Sequence, residues 1–144
     1  MKSILRLIDK FFVPQVAYAH CDVPCGIYDP KPAQIAAETV IKMVEKIQAF
    51  DNLKATVTER NSFVRAVWTK EEHARKCKEE ILILWTDFFK PEHLKMFPKL
   101  HDIFWKAAKL CSKNKQEVSR ESAQELKKAV NEIAEIFAKV AASL

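Results

Sequence analysis

The segment RESAQELKKAVNEIAEIFAKVAA, residues 120–142, sets Leu126, Val130, Ile133, Ile136, Phe137 and Val140 at three- and four-residue intervals between charged positions. That spacing gathers the six apolar side chains on one face of a helix, and such a face has to be buried against other elements. The fold therefore depends on whether the rest of the chain offers matching faces.

It does. Polar residues 112–119 read as a turn, and before them a helix from Pro91 to about Ser112 carries Leu94, Phe97, Leu100, Phe104, Ala107 and Ala108 on one side, with a kink expected at Pro98. Lys90-Pro91 separates it from a long helical region, Leu53 to Phe89, whose stripe is Val57, Phe63, Val64, Val67, Ala74, Cys77, Ile81, Leu84, Trp85 and Phe88. Thr69-Lys70-Glu71-Glu72 has the pattern of a capping box that restarts this region. A first helix is expected from Pro32 to about Asp51-Asn52, where Pro32 suits the opening turn. Gly26 is the single glycine in 144 residues, which leaves little turn chemistry for β-hairpins. The expectation is an all-α, up-down four-helix bundle spanning 32–144, one domain in size.

Basic residues outnumber acidic ones 24 to 19, a surplus too small and dispersed to require a nucleic-acid partner. After the first nineteen residues no segment approaches the roughly 20 apolar residues of a membrane span, so no membrane partner is expected for the mature form. Trp68, Trp85 and Trp105 sit at helical spacing and are read as core or subunit-contact residues, with core the default. Cys77 and Cys111 fall inside helical patterns and read as small buried apolar residues, and His93 and His101 as helix-surface or packing residues.

Residues 1–19 stand apart: Lys2, Arg6 and Lys10 lead into Phe11-Phe12-Val13, and Ala17-Tyr18-Ala19 has small residues at alternate positions, as a leader-peptidase site does. Cleavage there calls for a leader-processing peptidase and exposes His20. As an export signal the leader is poor, because Arg6, Asp9 and Lys10 interrupt its apolar stretch. A cytoplasmic location is expected, with export as the alternative if the leader acts as a signal peptide.

Residues 20–30 read His-Cys-Asp-Val-Pro-Cys-Gly-Ile-Tyr-Asp-Pro, too rich in Pro, Gly and Asp for a regular element and dense in metal-binding atoms. The span 20–31 is an irregular N-terminal hook. Taken alone, Cys21 and Cys25 are compatible with a small disulfide, a partial zinc site or an incidental pair. Their soft thiolates favour nickel or copper over hard cations.

The pattern His20-Cys21-Asp22-x-Pro24-Cys25-Gly26-x-Tyr28 resembles the nickel hook of the nickel superoxide dismutases, and Leu84-Trp85-Thr86-Asp87-Phe88-Phe89-Lys90-Pro91 is similar to a second segment of that family. The resemblance implies a superoxide dismutase that binds one nickel ion per subunit and converts superoxide anion to oxygen and hydrogen peroxide by Ni(III)/Ni(II) cycling, active after cleavage before His20. It implies that the metal ligands are His20, through its amine and imidazole, Cys21, through its thiolate and backbone nitrogen, and Cys25. It implies roles near the metal for Tyr28 and Asp22 in ordering substrate and water, a steering role for Lys90, and a homohexamer.

Three positions depart from that family: Ala36 where many members carry Glu, His73 where an Arg contacts the axial histidine, and Phe88 where Tyr is frequent. The rival functions are a nickel- or copper-trafficking module and a non-catalytic helical bundle stapled by a Cys21–Cys25 disulfide. Metal content distinguishes the second, and superoxide turnover the first.

Overall fold

The computed structural model describes residues 26–52 and 54–143. The leader and most of the hook, residues 1–25, lie outside the described residues.

Four long helices account for most of what is described: α1 (Lys31–Gln48), α2 (Val57–Ile83), α4 (Leu100–Gln116) and α5 (Arg120–Ala141), with a short α3 (His93–Met96) between α2 and α4. Helix α1 packs on α2 and α5, and α4 packs on the same two. Cross-links between α1 and α5 run in opposite directions along the chain, from Gln34–Asn131 through Glu38–Lys127 to Glu45–Arg120, so the two are antiparallel. The expected up-down four-helix bundle is the observed fold.

The core follows from the apolar periodicity. Ala33, Ala37, Val40 and Val44 of α1 face Ala74, Cys77 and Ile81 of α2, Phe104 and Ala107 of α4, and Leu126, Val130, Ile133 and Val140 of α5, all fully buried. Small residues at the start of α1 let its neighbours approach closely. Ser119 caps α5 by accepting the Ser122 N–H at 3.1 Å.

Several boundaries differ from the sequence expectation. Helix α2 begins at Val57, because the working capping box is Thr56 with Glu59: Thr56 Oγ1 accepts the Glu59 N–H at 3.3 Å and the Glu59 carboxylate accepts the Thr56 N–H at 2.7 Å. The box expected at Thr69 does not form. A cap residue needs extended backbone, which Thr56 has at ψ 166°, whereas Thr69 to Glu72 lie inside an unbroken helix where Glu72 pairs with Arg75 at 2.6 Å. Pro98 makes a break rather than a kink: Phe97, forced off helical backbone by the following proline, separates α3 from α4.

Helix α4 runs past Ser112 to Gln116, and its polar residues bond within the fold: Ser112 donates to the Ala108 carbonyl and Asn114 Nδ2 to the Leu110 carbonyl. Asn114, fully buried, donates from Nδ2 to the Ser122 carbonyl at 3.0 Å, and the buried Lys70 ammonium donates to the Asn114 and Lys115 carbonyls at 2.5 and 2.8 Å.

The stripe on α2 is narrower than expected. Val57 and Val64 are 85% and 62% exposed, and Trp68 and Trp105, read as core, are 71% and 54% exposed. The buried positions of α2 are Ala66, Lys70, Ala74, Cys77 and Ile81, so its first turns stay outside the bundle core.

Candidate metal centre

The hook enters the described structure at Gly26, whose φ of +71° is a left-handed conformation that side-chain-bearing residues rarely adopt. Nothing lies within 4 Å of where a Cβ would sit, so the glycine is required by the turn and not by crowding. Two residues on, Tyr28 packs its ring against Phe88 at 5.7 Å. Asp29 Oδ1 accepts the Lys31 N–H at 2.6 Å, and Pro30 and Pro32 set the helical φ that starts α1. Chain direction after the hook is thus fixed within a few residues.

Tyr28 meets the bundle where α2 ends. There the helix widens into a π turn, Leu84–Phe88, closed by the Phe89 N–H donating to the Leu84 carbonyl at 3.1 Å. Such turns are frequent at functional sites because the extra residue re-aims side chains. Here Leu84 and Phe89 point into the core, Phe88 lies between Tyr28 and Phe137 (4.3 Å), and Trp85 stacks flat on Phe104 while its indole N–H donates to His101 Nδ1 at 2.8 Å. Lys90 follows, exposed, beside a small cavity of about 170 Å³ that Trp85, Pro91 and His101 also line.

His93 and His101, read from sequence as surface or packing residues, are both engaged in this corner. His93 is buried and accepts the Lys90 N–H at Nδ1 at 3.0 Å. The available signal was positional: a histidine three residues after Lys90, with Pro91 opening the turn between them.

The expected ligands His20, Cys21 and Cys25, and Asp22 beside them, lie outside the described residues. Among the described residues no group of three or more His, Cys, Asp or Glu side chains is placed to hold a metal ion. Cys77 and Cys111 are free and fully buried, and the hydrogen bond between them together with burial pushes the Cys77 thiol far above its ordinary range. Protonated core thiols make poor metal ligands.

The three departures now have surroundings. Ala36 is buried in the core of α1. His73, half-buried on α2, has a buried Nδ1 with no hydrogen-bond partner among the described residues, and burial and then Lys76 hold its pKa below the usual histidine value. Phe88 meets Tyr28 without a hydroxyl of its own.

Residues 15–140 match the sequence profile of the nickel-containing superoxide dismutases. The chain belongs to that family. The nickel superoxide dismutase of Streptomyces seoulensis is 36% identical over 132 residues, which cover 91% of this chain and 95% of that protein. That of Streptomyces coelicolor is 38% identical over 98 residues, 67% of this chain and 70% of its own. A native nickel superoxide dismutase structure is 33% identical and superposes with a TM-score of 0.74 over 84% of this chain and 98% of that one. A structure with nickel ligation corresponding to the oxidised state is 36% identical, with a TM-score of 0.75 over 84% and 97%.

As a nickel-dependent superoxide dismutase, the protein is an oxidoreductase, and a trafficking module or a disulfide-stapled bundle is disfavoured. The ligands expected from the sequence suit the cofactor: the thiols of Cys21 and Cys25 and the imidazole of His20 are the kinds of sulfur and nitrogen donor that nickel takes. Gly26, with its left-handed backbone, directly follows Cys25 in the chain.

Proposed function

We propose that this nickel-dependent superoxide dismutase is made as a precursor and acts after cleavage before His20, with His20, Cys21 and Cys25 holding the nickel ion. The observation that supports the reading is the seating of Tyr28, three residues after Cys25 in the chain, on Phe88 beside the Phe89-Lys90-Pro91 corner.

Nickel bound there supplies the one-electron couple that dismutation of superoxide to oxygen and hydrogen peroxide requires. The chain does the rest. Cleavage creates an α-amine with a pKa of about 7.7–8.0, low enough to give up its proton and become a donor, which the uncut peptide nitrogen cannot be. Thiolates from Cys21 and Cys25 place negative charge on the site and favour the oxidised end of the couple. Asp22 and the Tyr28 phenol order superoxide and the water that delivers protons. Lys90 draws the anion toward the hook. The unpartnered Nδ1 supports His73 as a contact for His20, in place of the family's arginine.

Exposed Val57, Val64, Trp68 and Trp105 support assembly, as a homohexamer by family likeness, and the mass of the protein in solution tests it. Among the described residues no helix is long and apolar enough to cross a membrane. The weak leader supports a cytoplasmic site of action.

The test pairs nickel content with superoxide turnover in the processed protein and in Cys25→Ser. Bound nickel and turnover, both lost in the variant, are expected. Nickel without turnover makes the protein a carrier, and a Cys21–Cys25 disulfide without nickel makes it a structural bundle.

A further inference from the structure

Lys90 and His93 hold each other by two hydrogen bonds. The Lys90 N–H donates to His93 Nδ1 at 3.0 Å, and the His93 N–H donates to the Lys90 carbonyl at 3.0 Å. Since Nδ1 accepts, the neutral imidazole keeps its proton on Nε2. The ring is 6% exposed and lies against Phe88 and Phe89, at 6.2 and 5.9 Å between centroids. Phe88 in turn touches Tyr28. One buried imidazole therefore indexes the backbone of the exposed cation on one side and the aromatic seat of the hook on the other.

We propose that His93 is a positioning residue for superoxide dismutation: it fixes where Lys90 leaves the bundle relative to Tyr28, and so sets the approach of the anion. His93 itself touches neither substrate nor metal. Lys90 needs such a tether because its side chain is exposed and long, and with its backbone free the charge would be spread over a wide volume, which weakens the local field that raises an anion's on-rate. Pro91 stiffens the turn but has no N–H with which to close it, so the closing bonds come from His93.

This inference rests on Lys90 as the steering cation, and its test separates the two. Two variants divide the imidazole's properties: His93→Phe keeps the ring contacts and loses the acceptor, while His93→Asn keeps an acceptor at the reach of Nδ1 and loses the ring. Hydrogen exchange at the Lys90 amide, measured on the full chain, should quicken about ten-fold in His93→Phe and stay close to wild type in His93→Asn. In the nickel-loaded enzyme, kcat/KM at low salt should fall about two- to five-fold in His93→Phe with a flatter dependence on ionic strength, be rescued in His93→Asn, and fall no further when Lys90→Met is added. If Lys90→Met alone flattens the salt dependence and His93→Phe leaves it steep, the tether is wrong and steering by Lys90 stands. If Lys90→Met changes nothing, steering fails and the proposal falls with it.

Discussion

Lys70 is 2% exposed, yet among the described residues its ammonium has no carboxylate closer than Glu71 at 4.0 Å. What holds it is the end of α4: the Asn114 and Lys115 carbonyls belong to the last helical turn, where unpaired carbonyls gather partial negative charge. Lys70→Met keeps most of the stem's packing but strips two buried carbonyls of their donor. We expect a loss of about 2 kcal/mol in unfolding free energy, read from urea denaturation. A loss near zero would mean that water replaces the ammonium. At this scale the sequence was least legible. A lysine in mid-helix reads as solvated, and Trp68 reads as core, because a residue's type says nothing about the register of the helix it will face. His93 and Lys90 were both visible as letters, but their pairing depends on a turn that only the folded chain displays.

The elements were largely legible, because helical periodicity survives local irregularity. Their ends were not, because capping is a contest among similar candidates. Thr56-x-x-Glu59 and Thr69-x-x-Glu72 carry the same pattern, and only the first follows a loop that can supply extended backbone. The working box makes a pH prediction. Hydrogen bonds from the Thr56 backbone and then its hydroxyl hold the Glu59 carboxyl below its ordinary 4.5, so its contribution is present above that value and is lost as pH falls through the folded-state pKa. Glu59→Gln should melt at a lower temperature than wild type at pH 7, with the gap closing below about pH 4.5. A gap independent of pH would assign the effect to helix propensity instead. The π turn at Leu84–Phe88 lay hidden inside an apolar stripe that reads equally well as α-helix, although it is what brings Phe88 to Tyr28.

At the scale of the molecule, the bundle is a scaffold whose two ends differ. One end is closed by Lys70, Asn114 and Ser122. The other gathers the start of α1, the π turn and the end of α5 around Tyr28, Phe88 and Phe137, and it is there that the hook joins. The bundle could be inferred from periodicity alone. The chemistry could be inferred only from the order of a few residues at 20–28, since among the described residues no group of three or more His, Cys, Asp or Glu side chains is placed to hold a metal ion. The proposal on which the others depend is a cut before His20 that completes the enzyme by freeing its amine. It is tested most directly by superoxide dismutation in two nickel-reconstituted chains, one beginning at His20 and one carrying a single extra residue before it. Strong activity in the first and its loss in the second are predicted. Equal activity in both would contradict the amine-ligand account, and inactivity in both, with the bundle folded, would contradict the assignment of the site.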